Sequence, residues 1–182
     1  LLLAEIGNAN SLASRLDTVR AMQKPTGEWE IGHPDVLEHK KFPSVTAFVL
    51  AAMDAAKVKP LYPDTALSFL YKQQSIEGHW GQTWEYYDCP AYALWPIMRI
   101  LEKEKGRDAE AAKAKASKYI FDSQAADGSW FFPSVAKKTT TAELQTALML
   151  TALQYVKSDK KDSAVKKGVD FLLSHQRPDG SW

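Results

Sequence analysis

The 182-residue sequence lacks most of the features that mark a function directly. Its single cysteine, Cys89, excludes an internal disulfide and leaves the redox compartment open. Charge of one sign is missing too: 23 Lys and Arg against 22 Asp and Glu leave a net charge of +1. That balance gives no electrostatic ground for nucleic acid or an anionic membrane surface as a partner. Lysines gather at 103–105, 113–118 and 157–167, but Asp, Glu, Ala and Ser are mixed among them, so these stretches read as solvated faces. No apolar run is long enough to span a bilayer, so no integral membrane segment is expected. There is no Gly-rich phosphate loop, no Gly-x-Ser-x-Gly and no His-Glu-x-x-His. No alternating polar and apolar stretch is long enough for a strand. The opening Leu-Leu-Leu-Ala is too short for a signal-peptide core, and the first residue is not Met. The expectation is a processed chain or a piece of something longer.

What the sequence does have is a unit that occurs four times without a gap. The copies are RLDTVRAMQKPTGEW (Arg15–Trp29), ALSFLYKQQSIEGHW (Ala66–Trp80), ASKYIFDSQAADGSW (Ala116–Trp130) and GVDFLLSHQRPDGSW (Gly168–Trp182). The Gln recurs at Gln23, Gln74, Gln124 and Gln176, and the Trp at Trp29, Trp80, Trp130 and Trp182, 51, 50 and 52 residues apart. A fixed period of this size is the mark of a repeat architecture. Each unit begins as an amphipathic helix and is expected to stop at its Gly, which tolerates a left-handed backbone.

Between the units lie three segments that are apolar almost all round: Ser44–Ala56, Asp88–Lys103 and Thr140–Val156. A helix apolar on most faces is buried between layers. Two layers follow, with the apolar helices inside and the amphipathic ones, such as Asp108–Gln124, outside. Aligned on Ala47, Ala91 and Ala142, the inner helices place Ser44, Asp88 and Thr139 together as N-caps. Pro90 follows in the first turn, and Pro96 is expected to kink or break its helix.

Aromatic-Leu-x-x-x-Gln followed by Gly-x-Trp resembles the QW repeat of terpene cyclases of the squalene–hopene cyclase type, and more loosely of protein prenyltransferase β subunits. FLYKQQSIEGHW, YIFDSQAADGSW and FLLSHQRPDGSW fit closely, and RAMQKPTGEW less so, because Thr18 and Val19 replace the aromatic-Leu pair. The resemblance covers nearly the whole chain. It implies an all-α fold, an α/α toroid of helical hairpins in two layers, with about seven main helices and residues 1–182 as a single repeat domain. The chain would supply an open arc of it, with an apolar inner face to be covered by a missing segment or by self-association. The repeated Gln and Trp residues read as scaffold. The Gln is expected to bond backbone groups at a helix end that otherwise lack partners, and the Trp to cover the end of a neighbouring helix.

Cyclases of this family start their reaction with an Asp-x-Asp-Asp acid, a carboxylic acid kept protonated in a dry pocket, and stabilise the carbocations on aromatic faces. Asp-x-Asp-Asp does not occur here. The nearest substitute is Asp88, beside Trp84, Tyr86, Tyr87, Tyr92 and Trp95, the densest aromatic cluster in the chain. As a general acid it would work in an aromatic pocket. As an N-cap its carboxylate would be stabilised, the wrong direction for an acid. Tyr92, Trp95, Trp84 and Glu143 are the candidate ligand-pocket residues. Glu143 is either a polar anchor facing a central cavity or a favourable first-turn carboxylate.

Prenyltransferase β subunits hold zinc through Asp, Cys and His. Asp88-Cys89-Pro90-Ala91-Tyr92 resembles their Asp-x-Cys-Tyr only loosely, and the segment Thr139–Val156 holds no His. Cys89 reads as a small buried hydrophobe, His175 as out of reach, and His33, Asp35, Glu38 and His39 as an exposed loop. No metal and no cofactor are expected. The resemblance implies a domain that binds an isoprenoid or other apolar ligand in a central cavity. The alternatives are a non-catalytic repeat module for binding or scaffolding, and a prenyltransferase-like zinc subunit.

Overall fold

Proline decides where two of the inner helices begin. A computed structural model of the chain describes residues 16–31, 40–81, 89–133 and 141–182. In it α1 (Pro43–Ala55) and α3 (Pro90–Lys103) each carry proline at the first helical position, where a fixed φ helps and a missing N–H costs nothing. The caps are therefore the preceding residues, Phe42 and Cys89, in extended conformation. This corrects the expected caps Ser44 and Asp88: Ser44 lies inside α1 and is buried. The third inner helix, α5 (Ala142–Leu153), is capped by Thr141, whose Oγ1 accepts a bond from the Leu144 N–H at 3.2 Å. The expected cap Thr139 lies outside the described residues. Pro96 does not end α3, which runs through it to Lys103.

The outer helices are α2 (Pro63–Gln73), α4 (Arg107–Asp122) and α6 (Lys161–His175), preceded by helical residues 16–21. Small and apolar residues three and four apart form their inward stripe. In α4 this stripe is Ala109, Ala112, Ala116 and Ile120, flanked by the half-buried Lys113, Ser117, Tyr119 and Phe121, and the rest of the helix is solvated. The described helices thus comprise four outer and three inner ones. The only strands among the described residues are β1 (Glu30–Ile31) and β2 (Lys40–Lys41), a two-residue antiparallel ladder pairing Glu30 with Lys41 and Ile31 with Lys40.

The chain divides into two compact units, Leu1–Gln73 and Gln74–Trp182. In the first, α1 packs against α2 and β1. In the second, α5 packs against α3, α4 and α6, while α4 also packs against α3. Trp80, Trp130, Leu94, Ile97, Met98, Leu101, Ile120, Met149 and Leu153 form the fully buried centre of this second unit. The fold is an all-α helical-hairpin repeat of the α/α toroid class.

Candidate functional site

The four repeat units share one turn. In each, the residue after the Gln donates its N–H to the carbonyl of the residue before the Trp: Lys24 to Glu28 at 3.0 Å, Ser75 to His79 at 2.8 Å, Ala125 to Ser129 at 2.9 Å and Arg177 to Ser181 at 2.8 Å. The helices stop before this turn rather than at its Gly. α4 ends at Asp122 and α6 at His175, six residues before Gly128 and five before Gly180. The Gly is needed for the turn itself. Gly78 and Gly128 have φ of +105° and +92°, and a Cβ on either would overlap the carbonyl of Lys115 or Lys167 on the next outer helix.

The Gln binds this turn to the following helix. Gln74 Nε2 donates to Gly78 O at 3.0 Å and to Ala112 O at 3.0 Å. Gln124 Nε2 donates to Gly128 O at 3.0 Å and Ala164 O at 2.9 Å. Gln23 Nε2 donates to Gly27 O at 3.0 Å and Tyr62 O at 3.1 Å, and its Oε1 accepts from the Tyr62 N–H at 2.9 Å. Gln23 bonds a helix end as expected, since Tyr62 directly precedes α2, whereas the other two glutamines depart from that expectation. Ala112 and Ala164 lie inside α4 and α6, and their carbonyls have a second lone pair to offer.

The Trp pins the turn back onto its own helix. Its indole N–H donates to a carbonyl ten residues earlier: Trp29 to Val19 at 2.6 Å, Trp130 to Ile120 at 2.8 Å and Trp182 to Leu172 at 2.8 Å. Trp29, Trp80 and Trp130 are buried, and Trp182 is half exposed. The backbone N–H of Trp29 donates to Thr46 Oγ1 at 3.2 Å, and that of Trp130 to Thr146 Oγ1 at 3.0 Å, which ties the turn to an inner helix. Sequence reasoning missed these threonines, both fully buried. Aligning the inner helices on alanine shifted their register; counting from tryptophan pairs Thr46 with Thr146, 17 and 16 residues on. It also missed Gln145, fully buried in α5. Its amide accepts from Phe132 N at 2.7 Å and donates to Phe132 O at 3.1 Å, fixing the backbone just after Trp130.

Of the candidate ligand-pocket residues, Tyr92 and Trp95 share one face of α3. They are half-buried, while Ala93, Ile97 and Leu101 on the opposite side are buried. Glu143 lies in the first turn of α5. Its own backbone N–H and the Thr141 hydroxyl hold its carboxyl below the usual range, the behaviour of a first-turn carboxylate. Asp88 and Trp84 lie outside the described residues, as do Tyr86, Tyr87, His33, Asp35, Glu38 and His39. Cys89 is a fully buried thiol. His175 is engaged on its own helix, with Nδ1 2.9 Å from Phe171 O.

Two further clusters carry perturbed groups. His79, at the variable position of Gly-x-Trp, lies 4.8 Å from the Tyr119 ring, which stacks on Phe132 at 5.7 Å. Burial lowers the His79 pKa against the opposing pull of Glu77, 3.7 Å away. Burial, with Glu77 and Cys89, pushes Tyr119 up to about 12. In the first unit Glu28 is almost fully buried. Burial raises its pKa, but Lys41 at 2.5 Å, the Thr26 hydroxyl and its own backbone N–H outweigh that and hold it low. Three lysines of α4 and α6 are paired within their helices: Lys113 with Glu110, Lys118 with Asp122, and Lys166 with Asp170. A hollow of about 510 Å³ is lined by Met98, Phe121 and Tyr155 but also by Glu102, Lys113 and Lys160, a mixture poorly suited to a hydrocarbon. No helix among the described residues is long and apolar enough to cross a membrane.

A helical repeat protein whose hairpins are joined by Gln, Gly and Trp is the class that fold and junctions define. Residues 33–182 match the squalene–hopene cyclase C-terminal domain family, and the chain belongs to that family. Over 160 residues it is 31% identical to a lanosterol synthase of Candida albicans, covering 86% of this chain and 18% of that enzyme. It thus spans less than a fifth of that relative's length. A crystal structure of a protein from Actinoplanes matches it with a TM-score of 0.77 at 21% identity, covering 100% of this chain and 56% of that one.

Proposed function

We propose that this chain is a squalene- or terpene-cyclase-like domain that binds an isoprenoid or other apolar ligand against the Tyr92–Trp95 face of α3. The family match over residues 33–182 carries this reading. The half-buried aromatic pair supports it, since aromatic faces suit both hydrocarbon and cationic isoprenoid intermediates. A proton donor for such chemistry must hold a raised pKa. Among the described carboxylates whose pKa departs from its ordinary value, Glu28, Glu77, Asp127, Glu143 and Asp179 all depart downward. Asp88, which stands in the densest aromatic stretch of the sequence, is the candidate acid of this reading.

The purified chain is expected to take up squalene from detergent micelles saturably, with quenching of tryptophan fluorescence, and Trp95→Ala is expected to weaken uptake about tenfold. Lack of saturable uptake would remove the ligand-binding reading. The second reading is a non-catalytic repeat module for binding or scaffolding, favoured by the missing Asp-x-Asp-Asp motif. Turnover of squalene or its epoxide by this chain, abolished in Asp88→Asn, would eliminate that second reading and make Asp88 the acid.

A further inference from the structure

The hollow of about 510 Å³ lies within the second unit, between α3, α4 and the segment that leads into α6. Its size is that of a small-molecule site. Its most deeply buried wall is Met98, 1% exposed, and the half-buried Phe121 and Tyr155 supply rings. Tyr92 and Trp95, the face proposed for an isoprenoid, are not among its walls.

The charged walls do not cancel. Lys113 is paired with Glu110 at 2.6 Å, and Lys118 with Asp122. Three charges are left over: Lys157, Lys160 and Glu102 line the hollow with no ion-pair partner among the described residues. The two lysines stand together on one tight turn between α5 and α6. Ser158 Oγ accepts from the Lys160 N–H at 3.2 Å, and Ser158 O accepts from the Lys161 N–H at 3.0 Å. Lys160 is also the residue that caps α6, so the positive end of that helix adds to the potential of the ammonium groups. Glu102 is carried by α3 instead, and its carboxylate turns the negative end of any ligand towards the lysines.

We propose that this hollow is a second binding site, for a ring-bearing organic anion. The ring would lie against Met98, Phe121 and Tyr155, and its carboxylate, sulfate or phosphate group would reach Lys157 and Lys160. Charge and surface together select this class. A neutral ring leaves the two ammonium groups uncompensated, and a bare inorganic anion leaves the apolar walls in water. A long hydrocarbon meets the charges of the rim. Lysine is a point charge rather than a planar fork, so it accepts any of the three anionic groups. Such a ligand touches α3, α4 and the start of α6 at once, and occupancy should raise the unfolding midpoint of the chain.

The reporter is 8-anilinonaphthalene-1-sulfonate, an aromatic anion whose fluorescence rises when it leaves water. It is expected to bind saturably and to be displaced by 1-naphthoate. The neutral 1-naphthamide and the ringless acetate should each compete at least about tenfold more weakly. Ala114 is an exposed residue of α4 on the wall of the hollow, and Ala114→Trp fills the space without touching the core. That variant should lose the naphthoate-displaceable binding. Lys157→Gln with Lys160→Gln should weaken it about tenfold. Lys59→Gln with Lys115→Gln removes the same charge from exposed positions outside the hollow and should leave it unchanged. All three variants should keep the wild-type unfolding midpoint without ligand, which is the folding control. Displaceable binding that survives Ala114→Trp, or that both lysine pairs weaken equally, would overturn the proposal. So would equal competition by 1-naphthamide or acetate, or no saturable binding at all.

Discussion

At the scale of single residues, the consequential finding is that polar side chains in the repeat act on backbone groups. Gln23, Gln124, Thr46 and Thr146 all spend their hydrogen bonds on main-chain carbonyls or N–H groups. His79 is the exception that titrates. Burial depresses its pKa below the ordinary value near 6.5, so the unfolded chain binds a proton more readily than the folded one. Its contribution to stability is complete above pH 6.5 and falls as the pH drops towards the lowered folded value. Urea midpoints measured from pH 8 to 5 should decline below about 6.5. His79→Gln is expected to flatten that part of the profile, and an unchanged slope would show that other groups carry it.

At the scale of elements, the junction between successive outer helices can be weighed. Gln124→Leu leaves the carbonyls of Gly128 and Ala164 without the amide, at a cost of roughly 1–3 kcal/mol. Gln176→Leu removes one exposed bond that water replaces, at a cost within about 0.5 kcal/mol. Chemical unfolding of the two variants checks the difference, and equal losses would mean that the bond to the next helix contributes nothing. The positions of these helices were readable from the sequence, because a 3.6-residue stripe such as Ala109, Ala112, Ala116 and Ile120 needs no knowledge of its neighbours. Their boundaries were not. Proline at 43 and 90 moved two caps, and the Gly that ended each motif proved to be part of a turn beyond the helix. The inner threonines were hidden for a related reason: Thr46 and Thr146 are defined by their distance from a tryptophan on another element, not by any pattern within their own helix.

At the scale of the whole molecule, the repeat gave the family, and the candidate site stayed dim. Tyr92, Trp95 and Glu143 stood out in the sequence as aromatic or charged residues in apolar helices. Which side of a helix they take depends on packing between helices, which no single-helix pattern encodes. The molecule's two compact units also predict how it comes apart. Residues 74–182 hold three of the four tryptophan turns and every described partner of Trp130 and Gln124. Expressed alone, that span is expected to give a helical circular-dichroism spectrum and a cooperative urea transition. A span without secondary structure would mean that its stability comes from the first 73 residues.

The carbonyls that receive the Gln amides belong to Tyr62, Ala112 and Ala164, a phenol-bearing residue and two alanines. A junction that reads only main-chain atoms makes no demand of its own on the partner's side chain, and what constrains Ala112 and Ala164 is their burial. Whole hairpins can then be duplicated, exchanged or deleted by recombination with this hydrogen bond kept, provided that the spacing of 38 to 40 residues between amide and carbonyl is kept. Such a chain evolves in steps of one hairpin. Its length is therefore a poor measure of its kinship, and its Gln, Gly and Trp a good one.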